Sequence, residues 1–132
     1  MDKRMKANEL RIGNYIIRNG FKPEIVDGWK MFAKIEQVPD WYFPIPLTEE
    51  WLLKFGFEKT ESDNSEELYL WSIQIANNTS LYFNRDIDEW YLSHEWNSNH
   101  FKNDFWNKPK YVHQLQNLYF ALTGEELQWK RN

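Results

Sequence analysis

Residues 111–127 read YVHQLQNLYFALTGEEL and set Tyr111, Leu115, Leu118, Tyr119 and Leu122 at the i, i+4, i+7, i+8, i+11 spacing of a single helical face. A stripe this regular predicts a helix over 111–124 with an apolar core side. Gly124 would end it, glycine being the residue that most readily takes the left-handed conformation past a helix terminus. The other side is less ordinary. His113, Gln116, Asn117 and Phe120 also fall at helical spacing, with Gln114 beside them, and no Lys or Glu stands before Gly124. A solvated face normally uses Lys and Glu, which are good helix formers, whereas Asn and His are poorer ones. Two explanations are open. Either the amides and imidazole line a polar cleft and serve a ligand as donors and acceptors, or the helix is buried on two sides and they hydrogen-bond the backbone of neighbouring segments.

Ahead of this helix, NSNHFKNDFWNKPK (97–110) has no period but carries Phe101, Phe105 and Trp106, which predicts an ordered loop of functional length. LYLWSIQI, SLYFN and EWYLSHEW, starting at Leu68, Ser80 and Glu89, read as three strands of an antiparallel meander, closed by ANNT (76–79) and RDID (85–88). EKTESDNSEE (58–67) reads as an acidic, solvated loop. In PDWYFPIPLTEEWLLKFGF, prolines 39, 44 and 46 predict an extended connector; Thr48 then caps a short helix with Glu49 and Glu50 in its first turn, and Gly56 ends it. A turn at Gly13-Asn14 leads into a strand through Tyr15, Ile16 and Ile17. WKMFAKIEQV (29–38) alternates, with Trp29, Met31, Ala33 and Ile35 on one side, as a half-buried strand would.

The expected fold is α+β in a single domain of 132 residues. It comprises a small SH3-like N-terminal β hairpin with its Pro-rich connector (1–46), a short helix (47–57), the acidic loop (58–67) and the antiparallel β meander (68–96). The Asn/aromatic loop (97–110), a C-terminal helix packed on the sheet (111–124) and a tail (125–132) complete it.

Eight Trp, seven Tyr and nine Phe make 18% of the chain aromatic, too much large apolar area for a disordered polypeptide even at a mean hydropathy of -0.80. A net charge of -4 argues against a sequence-independent grip on a nucleic-acid polymer, which needs clustered Lys and Arg. No apolar run is long enough to span a bilayer, and the opening MDKRMKANELRIGN lacks the apolar centre of a signal peptide. With zero cysteines, a reducing compartment is expected and cysteine-based chemistry is excluded. The cytosol is the predicted location, and no membrane partner is expected.

No GxSxG elbow, glycine-rich phosphate loop or HExxH spacing occurs, and the paired acids Glu49/Glu50 and Glu125/Glu126 diverge on a helix, so neither a catalytic set nor a metal site nor a cofactor is predicted. Binding fits better. Trp96, His100 and Trp106 of the Asn-rich loop, with His113, Gln116 and Asn117 of the last helix, would form a pocket in which rings stack on a flat ligand and amides read its edge. Arg11, available for phosphate, and Tyr15 join this ligand-binding set.

NELRIGNYI (8–16), PIPLTEEWLLKFGF (44–57) and YVHQLQNLYFALTGEEL together resemble a set of short proteins found in Bacteroidota genomes, their phages and other mobile elements. The resemblance implies a setting: a small phage-associated protein of the host cytosol, acting against host defence by sequestering a nucleotide immune signal or by blocking a host protein. The leading expectation is therefore a non-catalytic protein that sequesters a small nucleotide-like ligand, ADP-ribose-derived or cyclic. A protein–protein interaction module that blocks a host protein is the alternative, and a nucleotide-modifying enzyme the third. A homo-oligomer is a further expectation, because exposed aromatic patches are often covered by a second copy.

Overall fold

A computed structural model of the chain describes residues 7–18, 22–61, 69–76, 79–84, 89–94, 103–104 and 108–129. The class is α+β: the described residues form a three-stranded and a five-stranded antiparallel sheet and three α-helices. Contacts divide the chain into two compact units, residues 1–47 with 109–126 and residues 48–108 with 127–132.

The first unit is built on β1 (Tyr15–Arg18), the central strand between β2 (Pro23–Ile25) and β3 (Tyr42–Phe43). Gly13, at φ 102, makes the turn into β1; its N–H donates to the Val26 carbonyl at 2.7 Å, and the Val26 N–H to the Asn14 carbonyl at 2.8 Å. A hairpin does begin the fold, but the partner of β1 is 23–25 and not 29–38. Pro23 lies in the edge strand, where a missing N–H is tolerated and further strand addition is discouraged.

Residues 29–37, expected as a strand, are the helix α1 (Trp29–Gln37). The alternation contained a second period. Met31, Phe32, Ile35 and Val38 lie at i, i+1, i+4 and i+7, and as a helix they all turn onto the core of Leu10, Ile16, Val26, Ile35 and Tyr42. As a strand, Phe32 would leave that face. Lys, Met, Ala, Glu and Gln are also strong helix formers, so propensity and burial agree on the helix. A 3-10 turn over Pro39–Trp41 leads into β3 at the sheet edge, as the proline-rich sequence requires. The connector then runs beside the start of α3 (Val112–Thr123). Val112 N–H donates to the Ile45 carbonyl at 2.8 Å, Leu47 N–H to the Lys110 carbonyl at 3.0 Å, and Pro46 bridges Tyr111.

Helix α3 packs on the three-stranded sheet against β1, as expected, but its deepest line is rotated from the predicted stripe. Val112, His113, Leu115 and Gln116 are fully buried, whereas Leu118, Tyr119 and Leu122 are half-buried and Phe120 is exposed. Gly124, at φ 76, ends the helix and donates its N–H to the Phe120 carbonyl.

The second unit begins with α2 (Glu49–Lys54). Thr48 Oγ1 accepts from the Trp51 N–H at 3.4 Å. At the other end Gly56 (φ 93) donates to Leu53 and Phe57 to Leu52, both at 3.0 Å, the paired bonds of a Schellman turn. The sheet order is β4-β5-β6-β7-β8, with β4 Glu58–Glu61, β5 Tyr69–Ala76, β6 Thr79–Asn84, β7 Glu89–His94 and β8 Asn103–Asp104. The predicted meander is β5, β6 and β7. Two expected loops contribute strands to it: 58–61 opens the acidic segment as β4, paired with β5, and 103–104 pairs with β7. Residues 77–78 and 85–88, expected as turns, and the remainder of the acidic segment, 62–67, lie outside the described residues.

Period-2 alternation explains this sheet's core. Trp71 pairs with Phe83 and Phe83 with Trp90, so three rings stand in one cross-strand row; Ile73, Leu81 and Leu92 form the next. Trp71, Leu81 and Trp90 are buried, Phe83 stacks on Trp90 with centroids 4.5 Å apart, and Phe57 meets Trp90 edge-on at 6.3 Å. Among the described residues no helix is long and apolar enough to cross a membrane.

Candidate functional site

The amide face of α3 meets the segment 9–15, which enters β1. Gln116, with no exposed surface, accepts from the Tyr15 N–H through Oε1 at 2.8 Å and donates from Nε2 to the Gly13 carbonyl at 2.9 Å. A single side chain thus pairs two backbone groups left by the turn ahead of β1. Asn117 Oδ1 accepts from Arg11 Nε at 2.8 Å and from Asn14 Nδ2 at 2.9 Å, while its Nδ2 donates to the Glu9 carbonyl at 3.2 Å. Both acceptor positions of Oδ1 are then occupied.

Arg11 completes the cluster. Its Nη1 pairs with Glu126 Oε2 at 2.5 Å, and its Nη2 reaches the Gln116 carbonyl at 3.2 Å and Glu126 Oε1 at 3.3 Å. The guanidinium carbon lies over the Phe120 ring, 4.2 Å from its centre. A planar fork with several fixed donors suits this bidentate, ring-stacked position, which a Lys could not fill. Asn14, fully buried, also accepts from the Arg11 N–H at 2.7 Å, closing the loop on itself. His113 is buried beside Glu9, with Nε2 3.6 Å from Oε2, and its ring stacks with Tyr111 at 6.1 Å between centroids.

Arg11, Tyr15, His113, Gln116 and Asn117, five of the eight predicted ligand-binding residues, therefore gather in one place. Their gathering follows the second of the two explanations for the uncharged helix face: the amide groups, the guanidinium and the Tyr15 N–H are engaged within the chain. Trp96, His100 and Trp106 lie outside the described residues. Sequence reading missed Glu9, Gly13, Asn14 and Glu126 as members of the cluster. The signal available was that a helix face of amides without Lys or Glu requires a polar, uncharged complement, and the turn ELRIGN supplies one.

Other surfaces are open. In the first unit Trp29 keeps 73% of its surface exposed and Trp41 48%, and Ile12 and Ile25 are also exposed. Lys34 Nζ sits 5.8 Å from the centre of the Trp41 ring. In the second unit Lys54 Nζ lies 4.2 Å over Trp129 and 5.3 Å from Trp51, two rings that meet edge-on at 5.1 Å, with Leu53 exposed on the same short helix. Among the described residues no three His, Asp or Glu side chains gather as metal ligands. No protein-family model matches the chain, and no curated protein or solved structure is similar to it.

Proposed function

We propose that the protein is a non-catalytic binding module acting through protein–protein contacts. The observation that carries this reading is the solvent exposure of Trp29 and Trp41, against Trp51, Trp71 and Trp90, which are buried. Trp is the residue type most enriched among interface anchors, and Arg and Tyr follow it. Leaving such rings in water has no benefit to the fold, whereas a partner that covers them gains their full apolar area. In the phage setting that the resemblance implies, the partner would be a host protein whose function is blocked.

Sequestration of a small nucleotide-like ligand is supported less by the described residues, because the amides of Gln116 and Asn117 already have partners. The two readings separate in solution. Under the proposal, a stoichiometric partner co-purifies with the wild-type chain and is lost with Trp29→Ser/Trp41→Ser. A panel of cyclic and linear ADP-ribose derivatives and cyclic dinucleotides then leaves the melting temperature unchanged. A rise of several degrees with any of them, the shift expected at about a hundred times the dissociation constant, would return the argument to the nucleotide sponge.

A further inference from the structure

We infer that the outer face of α1, with Trp41 beyond its end, is the docking site for a short acidic segment of a partner protein. This assignment rests on the protein-interaction reading above and names the surface and the chemistry of its occupant.

Two rows lie side by side on this face. Trp29, Ala33 and Gln37 follow one another at i, i+4 and i+8, and Lys30 and Lys34 at i and i+4. Lys30, Lys34 and Gln37 are exposed, and Ala33, with a small side chain, is half-buried in the Trp29 row. The Lys34 ammonium extends toward Trp41, which links the row to the second exposed ring. None of these side chains belongs to the core of the unit, which takes Met31, Phe32 and Ile35 from the opposite side of the same helix.

Area and charge choose the occupant. Two rings at these exposures present on the order of 300 Å² of apolar surface, taking about 250 Å² for a whole aromatic side chain. A stable dimer needs roughly 800 Å² from each partner, so a short segment fits and a second copy of the chain does not. The lysine row carries two ammonium groups; Glu36, at i+7 from Trp29, stands beside the Trp29 row on the side away from the lysines, and Asp27 and Asp40 stand before and after the helix. A polyanion such as a nucleic-acid strand would meet these bracketing acids, whereas a segment with two carboxylates about one helical turn apart stays within the lysine row. An apolar side chain of that segment would rest on Trp29 and Ala33.

The test uses the full chain. Random twelve-residue peptides displayed on phage are selected against it, and one selected peptide is synthesised and titrated by fluorescence anisotropy. Expected are peptides rich in Asp and Glu around one or two large apolar residues, affinity at least tenfold weaker for Trp29→Ala, and a similar loss for Lys30→Glu/Lys34→Glu, which should select basic peptides instead. Leu53→Ala, in the other unit, should bind as wild type, and circular dichroism should show all variants folded. Neutral or basic peptides from the wild-type selection, or unchanged affinity in both the Trp29 and lysine variants, overturn the assignment to α1. If such peptides still bind and are lost in variants of another surface, the interaction reading stands without this site. If no peptide is selected above background, both fall.

Discussion

Gln116 shows how one residue joins two distant parts of the sequence. Its amide bonds the N–H of Tyr15 and the carbonyl of Gly13, about a hundred positions away, in a fully buried place. Gln116→Leu keeps the volume but removes both of these hydrogen bonds, and is expected to lower stability by about 2–6 kcal/mol in urea unfolding, at 1–3 kcal/mol for each backbone group that loses its partner. Gly13 is tight for a second reason. A Cβ there would lie 3.1 Å from the Glu126 carboxyl carbon, on a backbone at φ +102 that side chains rarely adopt. Gly13→Ala should therefore cost about 1–3 kcal/mol and weaken the Arg11–Glu126 pair. An Arg11→Lys variant, which retains charge and loses the fork, should recover little of what Arg11→Ala loses.

Local signals account for helix ends. Gly56 closes α2 with both Schellman bonds, so Gly56→Ala should destabilise by about 1 kcal/mol and shift the urea midpoint without changing the slope. In the last turns of α3, burial raises the pKa of Tyr119 above its ordinary 10.0, and the charge of Glu125 adds to the effect. The folded state thus prefers the neutral phenol. Its contribution is fully present below the unfolded value of 10.0 and is lost as pH rises from there through the folded value. Thermal melts at increasing alkaline pH should show a steeper loss for wild type than for Tyr119→Phe. Helix α1 makes the complementary point about pattern. Its sequence satisfied both a period of two and a period of 3.6, and Phe32 decided between them, because only the helix brings Phe32 and Ile35 to the same core.

Across the whole molecule, rings divide into those that hold the fold and those that do not. Trp90 is 1% exposed between Phe83 and Phe57, and Trp90→Ala should cost about 3–5 kcal/mol. Trp29, at 73% exposure, should tolerate Ala within about 0.5 kcal/mol. Equal losses at the two positions, measured by chemical denaturation, would mean that Trp29 is structural and that α1 has no free outer face. The five-stranded sheet is also protected from pairing at one edge: exposed Glu58 and Lys59 charge β4.

Elements whose causes lie within a few residues were legible in the sequence. These were the Thr48 cap and Gly56 stop of α2, the turn at Gly13, the period-2 strands of the meander, the helix before Gly124 and the α+β class they add up to. Long-range packing settled what depends on distant partners. The 23–25 strand was too short and proline-marked to announce itself, and it became visible only as the partner of 15–17. The 29–37 segment became helix because its apolar residues had to reach one core together. The amides of α3 had two chemically sound uses, and the sequence could not choose between them. A donor and an acceptor read the same on paper whether they face a ligand or a backbone; Gln116 and Asn117 were assigned by the turn at 9–15, brought against them by a fold that closes over a hundred intervening residues.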